Sequence, residues 1–176
     1  MAEPVAGPAG EAFDALVAGL DAAMVVVTVA ADDERDGCLV GFHSQSSIDP
    51  RRYVVWLSAA NHTTALARRA THLGVHALTA SDHALARHFG GLTADELPGG
   101  GDKLAGLGWR PGEGGAPLLD AAPARFVGRV VAWLELPDSD HHAVVLEPVR
   151  AASPASETRT PFRLAQAADI EPGHPA

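Results

Sequence analysis

The sequence predicts a mainly β fold, an antiparallel barrel with peripheral helices, and two observations support this prediction. Runs of β-branched and aromatic residues come as two hairpin-like pairs early in the chain and one long pair late in it, with two short helical segments between them. A doubly wound parallel sheet would instead show a regular βαβαβ alternation. We expect the domain over residues 11–150, with a flexible N-terminus over 1–10 and a C-terminal tail over 151–176.

The first third of the chain contains three predicted strands and one helix. Apolar residues recur at helical spacing over 11–21, which predicts a short amphipathic helix. The β-branched run 24–29 predicts a buried strand, and 38–43 is expected to return as its hairpin partner after a charged turn at 31–37. A third strand is expected over 53–58.

Two short helices and a short strand are expected next. Asn61 is a good N-cap for a helix from residue 62 to about residue 70. A strand over 75–78 follows, and Ser81 is expected to cap the second helix, which Gly90 and Gly91 end.

The second half of the chain contains a long glycine-rich stretch and a pair of long strands. Residues 98–116 hold eight glycines and are expected to be irregular. The alternating run 126–136 predicts a half-buried strand, with an antiparallel partner over 141–149. The tail after residue 150 is polar and proline-containing, and we expect it at the surface or against a partner.

Composition excludes several classes of function. The formal net charge is −9 and there is one lysine, which argues against a nucleic-acid-binding surface. A single cysteine, Cys38, excludes an intrachain disulfide and a CxxC site. The apolar runs are far shorter than the roughly 20 residues of a membrane span, and no signal pattern is seen, so a cytoplasmic protein without membrane contact is expected. The histidines are scattered over different predicted elements, so no metal site is expected.

The stretch 37–50 is the most informative segment for function. It begins as an apolar run, continues into small hydroxyl and amide residues, and ends at the turn-forming pair Asp49-Pro50. Backbone N–H groups beside Ser44, Ser46 and Ser47 would form a concave row of donors for an anion or a heteroaromatic edge. The alternative is an ordinary surface strand that continues into a polar loop.

Seven segments in order carry a resemblance to a known family. They are Val27-Thr28; Gly37 through Pro50; Ser58-Ala59-Ala60-Asn61-His62-Thr63; Leu85-Ala86-Arg87-His88-Phe89-Gly90-Gly91; Asp102-Lys103-Leu104; Gly115-Ala116-Pro117-Leu118-Leu119; and Ser139-Asp140-His141. Over about residues 13–150 the chain resembles the flavin reductase-like, FMN-binding split-barrel family.

This resemblance implies one FMN per subunit, or FAD in its place, at a homodimer interface, with NAD(P)H as co-substrate. A separate monooxygenase that receives reduced flavin is a further partner that the resemblance suggests. The implied flavin-binding residues are Thr28, Gly41, Phe42, His43, Ser44, Gln45, Ser46, Ser47, Ser58, Asn61, His62, Thr63, Thr64, Arg68 and Lys103. The backbone of 41–45 could supply donors to the ring, and Gly41 would permit its close approach.

The phosphate and the nicotinamide need different residues. Hydroxyls and N–H groups of 61–64, with Arg68 and Lys103, could hold the phosphate, unless Asn61 only caps its helix and Arg68 only faces solvent. The implied catalytic residues are His141 and Asp140; His141 could orient the nicotinamide or act as an acid or base. The alternative is that His141 only begins a strand.

The sequence leaves three functions open. The first is an NAD(P)H:flavin oxidoreductase. The second is a flavin-binding or electron-carrier protein without turnover, because Gly41, Phe42 and Ser139 differ from the family's usual residues near the reactive ring. The third is a similar barrel that holds a heme or a deazaflavin.

Overall fold

The computed structural model describes residues 7–92, 102–153 and 159–173. Its helices are α1 (Pro8–Leu20), α2 (His62–Ala67) and α3 (His83–Gly90). Its strands are β1 (Val25–Ala31), β2 (Glu34–Val40), β3 (His43–Ser47), β4 (Arg52–Ser58), β5 (His72–Ala77), β6 (Trp109–Pro111), β7 (Pro117–Leu119), β8 (Arg125–Leu134) and β9 (His141–Ala152). Short 3-10 turns lie at Glu113–Gly115 and Leu164–Ala167.

Seven strands form one antiparallel sheet in the order β2-β1-β5-β8-β9-β4-β3. The two edge strands, β2 and β3, are consecutive in the chain and are joined by only Gly41 and Phe42. Such a link spans at most about 11 Å, whereas the edges of a flat seven-stranded sheet would lie about 29 Å apart. The sheet therefore curls into a half-barrel, which confirms the predicted mainly β split-barrel class of fold.

The β-branched run of β1 is buried on both faces. Val25, Val27 and Val29 pack into one apolar cluster with the sheet and α2. Val26 packs into a second cluster with α3, which includes Phe89. Because successive side chains of a strand point to opposite faces, a strand between two cores needs apolar residues at every position.

The predicted boundaries of the first hairpin are wrong. Its turn is confined to Asp32 and Asp33, and Glu34 already pairs with Ala31 in the ladder. The charged residue Asp36 thus lies inside a strand and is fully buried. A buried carboxylate is tolerated when donors surround it, which sequence composition alone does not reveal.

The polar residues that follow β2 form an edge strand, which is paired on one side only. Residues 43–47 form a strand that pairs with β4, with His43 opposite Val55 and Ser44 opposite Val54. The turn at Asp49-Pro50 is confirmed.

Several other boundaries differ from the predictions. Helix α2 ends at Ala67, earlier than expected. Asp82, and not Ser81, is the N-cap residue of α3; its side chain makes no capping hydrogen bond to the helix and accepts instead from the preceding Thr79 N–H at 2.7 Å. The described part of the glycine-rich stretch contains β6, which pairs with β7.

The last described residues are not a surface tail. Phe162 is fully buried, and its carbonyl accepts a hydrogen bond from the Met24 N–H at 2.8 Å. At the other end of the segment, the Gly173 N–H donates to the Gly90 carbonyl at 3.2 Å. We name residues 159–173 the C-terminal strap. The sequence hid this role because one buried aromatic residue in a polar segment leaves no periodic pattern.

None of the helices in the described ranges has the length and apolar character that crossing a bilayer requires.

Candidate functional site

A pocket of about 810 Å³ opens beside the link between β2 and β3. The end of β2, the start of α2, the end of α3 and the C-terminal strap form its walls. This volume lies within the range of small-molecule and cofactor sites. The pocket has a polar end, a central part and an apolar end.

Asp36 organises the polar end. Its carboxylate is fully buried and accepts hydrogen bonds from the Gly37 N–H at 2.7 Å and the Thr63 hydroxyl at 2.8 Å. His62 Nδ1 lies 3.0 Å from the same carboxylate. Lys103 Nζ lies 3.8 Å from it and donates to the Gly37 carbonyl at 3.0 Å. Asp36 therefore fixes both an imidazole and an ammonium group in this wall.

A second carboxylate lies at the polar end, so two acidic groups there face the single ammonium group of Lys103. Glu34 Oε2 lies 3.7 Å from His62 Nε2, so His62 is flanked by two acidic groups. With Lys103 as the lining cation on this wall, an anionic ligand would depend on hydrogen bonds more than on a net positive field.

The threonines after the cap face inward. Asn61 caps α2, and its side chain accepts a hydrogen bond from the Thr63 N–H at 3.1 Å. The Thr63 hydroxyl is bonded to Asp36, and the Thr64 hydroxyl donates to the Ser58 carbonyl at 2.6 Å. Thr63 and Thr64 thus stabilise the start of α2, and neither lines the pocket, so their contact with a phosphate stays a prediction.

The centre of the pocket is formed by Gly41, Phe42, Trp56 and His141. His141 Nδ1 lies 2.9 Å from Asp140 Oδ1, and this hydrogen bond lowers the pKa of Asp140. The rings of Phe42 and His141 lie 5.2 Å apart. A Cβ placed on Gly41 would meet only the Met24 methyl group, at 3.4 Å, so the space above Gly41 is open to a ligand.

The apolar end is lined by side chains of three separate elements. Leu39 comes from β2 and Phe89 from α3, while Leu164, Ala167 and Ile170 come from the C-terminal strap. A ligand that fills the pocket must therefore combine an apolar part with a polar part.

Cys38 also lines the pocket wall. It is buried, and burial raises the pKa of its thiol to about 12. The thiol stays protonated at neutral pH and is not a nucleophile.

The structure brings seven predicted site residues together. They are Gly41, Phe42, Ser58, Asn61, His62, Lys103 and His141. Three others, His43, Ser44 and Asp140, border a shallow cleft that shares Phe42, Trp56 and His141 with the main pocket.

Two other predicted residues lie away from the pocket. Thr28 is fully buried under the sheet, where its hydroxyl donates to the Pro117 carbonyl at 2.6 Å. Arg68 pairs with Glu135 and lies over the Trp133 ring, 4.1 Å from its centroid. The family resemblance implied both as flavin-binding residues, and the structure places their side chains in other contacts.

The polar segment of β3 contributes less than predicted. Gln45, Ser46 and Ser47 do not line either cleft, and the Gln45 side chain donates to the Ser47 carbonyl. The pairing of β3 with β4 determines the direction in which these side chains point.

Sequence reasoning missed one face of β2. Glu34, Asp36, Cys38 and Val40 all line the pocket. They alternate along the strand, so the period of two was a usable signal once 34–37 was recognised as strand and not turn. The lining residues of the C-terminal strap left no such signal.

Across the described ranges, no cluster of three or more His, Cys, Asp or Glu side chains is arranged to hold a metal ion.

Comparisons with known proteins give one family. The model of the flavin reductase like domain matches residues 18–167 of this chain. Comparison with curated proteins gives no match.

Solved structures share the fold. The NADH:FAD oxidoreductase SgcE6 of Streptomyces globisporus C-1027 is 25% identical, with a TM-score of 0.70 over 89% of this chain and 90% of that one. A nitrilotriacetate monooxygenase component B from Mycobacterium thermoresistibile is 18% identical, with a TM-score of 0.72 over 87% of this chain and 80% of that one. An FMN-binding protein from Thermus thermophilus is 18% identical, with a TM-score of 0.69 over 77% and 74%.

Proposed function

The chain belongs to the flavin reductase-like family, and from that premise we propose that it transfers hydride from NAD(P)H to a flavin bound in this pocket. The observation that carries the proposal is the convergence of seven residues from separate segments on one pocket. A similar protein of known structure, at 25% identity, is named as an NADH:FAD oxidoreductase.

The residues present fit a flavin. Its ring system is planar and largely apolar, and its ribityl phosphate is polar, which corresponds to the two ends of the pocket. Gly41 leaves open space beside the backbone at the centre. We assign the ring to the central and apolar parts, and the ribityl phosphate to the end with His62 and Lys103. FMN and FAD share both parts.

A bound flavin would supply the hydride acceptor. The chain's part is to hold the flavin and the nicotinamide in contact and to exclude water, since hydride transfer needs no protein acid. The Gly41 backbone and Trp56 would line the ring, and Lys103 and His62 would donate hydrogen bonds to the phosphate.

His141 would position the nicotinamide. Its bond to Asp140 uses Nδ1, which leaves Nε2 as the nitrogen that could contact the second nucleotide. Because His141 lines both the pocket and the shallow cleft, a nucleotide in the cleft would lie next to the ring site.

Steady-state oxidation of NADH and NADPH tests this function. The purified protein is mixed with each nucleotide and with FMN or FAD, and loss of the reduced nicotinamide absorbance is followed. We expect turnover with at least one pair, and a lower kcat/KM in His141→Ala. No oxidation above the rate of a protein-free flavin control, with any pair, would overturn the proposal, whereas equal rates in the wild type and His141→Ala would remove only the role of His141.

A flavin-binding protein without turnover is the second candidate, and one contact favours it. The Phe42 ring packs against His141, where it would obstruct a nicotinamide. This candidate predicts a stoichiometric flavin that copurifies without NAD(P)H consumption, and a Phe42→Ala variant that gains consumption.

We also propose that two copies associate. Phe13, Leu16 and Leu20 of α1 are each more than 60% exposed, and no residue of α1 is buried. A partner copy would cover such an apolar face. Sedimentation equilibrium should give twice the chain mass of 18.2 kDa, and a single-chain mass would contradict this. A separate monooxygenase as recipient of reduced flavin is a further proposal, supported by the likeness to a monooxygenase component B.

A further inference from the structure

The C-terminal strap forms one wall of the pocket and is firmly anchored at its first end. Phe162 is fully buried in the cluster that contains Phe89. Around it, the backbone of the strap pairs with the segment before β1, since the Met24 N–H donates to the Phe162 carbonyl and the Leu164 N–H donates to the Ala22 carbonyl at 3.0 Å. This end is held by burial and backbone pairing, which do not depend on salt or pH.

The far end of the strap packs on the end of α3. A Cβ on Gly90 would lie 3.2 Å from Ile170 Cγ2, and one on Gly91 would lie 3.5 Å from the same atom. The two glycines therefore let the strap approach α3 closely. Asp169 adds ion pairs with His83 and Arg87, but all three side chains are exposed, so these pairs contribute little.

Between these anchors the strap turns apolar side chains toward the pocket. Leu164, Ala167 and Ile170 line its apolar end. The family match stops at residue 167, so Ile170, Pro172 and Gly173 form a part of the wall that the match does not cover. This part of the wall is supplied by the chain's own C-terminal residues.

We propose that Ile170 is an affinity-determining residue for the ring system of the bound flavin, through contact with its hydrocarbon edge. The inference rests on the proposed function, because it needs a flavin in the pocket. The polar end is formed by other elements, so Ile170 should affect ring binding and leave the phosphate contribution unchanged.

Three ligands separate the ring from the rest of the flavin. Lumiflavin is the ring alone, riboflavin adds the ribityl chain, and FMN adds the phosphate. Their dissociation constants are measured by quenching of flavin fluorescence for the wild-type chain and for Ile170→Ala. The matched control is Ile48→Ala, because Ile48 is 82% exposed in the turn between β3 and β4 and lines no part of the pocket. A thermal melt of each variant reports folding.

We expect Ile170→Ala to weaken all three ligands by a similar factor, roughly tenfold, since about two methylene-equivalents of apolar contact are lost. Ile48→Ala should bind like the wild type. If Ile170→Ala lowers the melting temperature while all three constants stay at the wild-type value, the strap is only structural and the inference is overturned. If only FMN weakens, Ile170 acts on the phosphate and the inference is also overturned.

Failure of the proposed function gives a different result. In that case the wild-type chain itself binds none of the three ligands, and the inference is overturned together with the function. Should Ile170→Ala fold poorly, Ile170→Val removes a single methyl group and should weaken all three ligands by roughly threefold.

Discussion

His62 Nδ1 lies 3.0 Å from the carboxylate of Asp36, a residue that is fully buried within strand β2. The same carboxylate accepts two further hydrogen bonds and lies 3.8 Å from the buried Lys103 ammonium. One acidic side chain inside the wall thus positions two basic side chains of the pocket.

We expect Asp36→Asn to destabilise the fold by about 3–5 kcal/mol, because it leaves the Lys103 charge buried without its counter-charge. The measurement is the free energy of unfolding in urea at neutral pH. Asp33→Asn is the matched control, since Asp33 is exposed in the turn between β1 and β2 and should change stability by less than about 0.5 kcal/mol. Equal stability of the two variants would contradict the role of Asp36.

The close approach of β1 and β7 to β5 leaves no room for a side chain at Gly74. A Cβ there would lie 2.4 Å from the Thr28 hydroxyl oxygen and 2.7 Å from the Pro117 carbonyl oxygen. We expect Gly74→Ala to destabilise by about 2–3 kcal/mol, since backbone must move. Gly19→Ala is the control, because nothing lies within 4 Å of its Cβ position in α1 and alanine should stabilise the helix by up to about 1 kcal/mol. Chemical denaturation of both variants checks the pair, and a fully stable Gly74→Ala would refute the close approach.

His76 makes stability depend on pH. Burial lowers its pKa from 6.5 to about 4. The unfolded chain therefore binds a proton near pH 6.5 while the folded chain does not, so this contribution is complete above that pH and falls as the pH decreases toward 4. At about pH 5 the loss should be about 2 kcal/mol.

The His76→Gln variant lacks this titrating group, so we expect its free energy of unfolding to fall less than that of the wild type between about pH 7 and pH 5. A shallower dependence of the same sign should remain, because burial also lowers the pKa of His43. Urea titrations of wild type and variant at several pH values give the difference. An identical pH dependence in the two proteins would show that folding does not change the pKa of His76.

Strands of the sheet could be predicted from the sequence because they contain runs of β-branched residues. The run 24–29 is buried on both faces, and the alternation after residue 125 marks β8. The first turn could not be located, since Asp36 has the composition of a turn and the environment of a core residue. Apart from the adjacent Gly37 N–H, its partners come from α2 and from Lys103, which local sequence does not connect to it.

The sequence predicted those site residues whose backbone position is determined by a local motif. Gly41, Asn61 and His62 lie in the pocket because the link between the sheet edges and the cap of α2 place them there. Thr63 and Thr64 follow the same motif but bond inside the protein. The direction in which a side chain points within one helical turn depends on neighbours that are distant in sequence. The pocket wall formed by the C-terminal strap could likewise not be predicted, because its residues come together with the other walls only in the folded chain.

Filling the space above Gly41 tests most directly whether this pocket holds a flavin. A methyl group there meets only the Met24 side chain, at 3.4 Å, so Gly41→Ala should fold like the wild type and yet intrude on the ligand. The measurement is a fluorescence titration of FMN against wild type, Gly41→Ala and the Gly19→Ala control. We expect saturable binding of one FMN per chain to wild type and control, and binding at least fivefold weaker to Gly41→Ala. Equal affinity in all three proteins, or no binding to the wild type, would contradict a flavin site at this position.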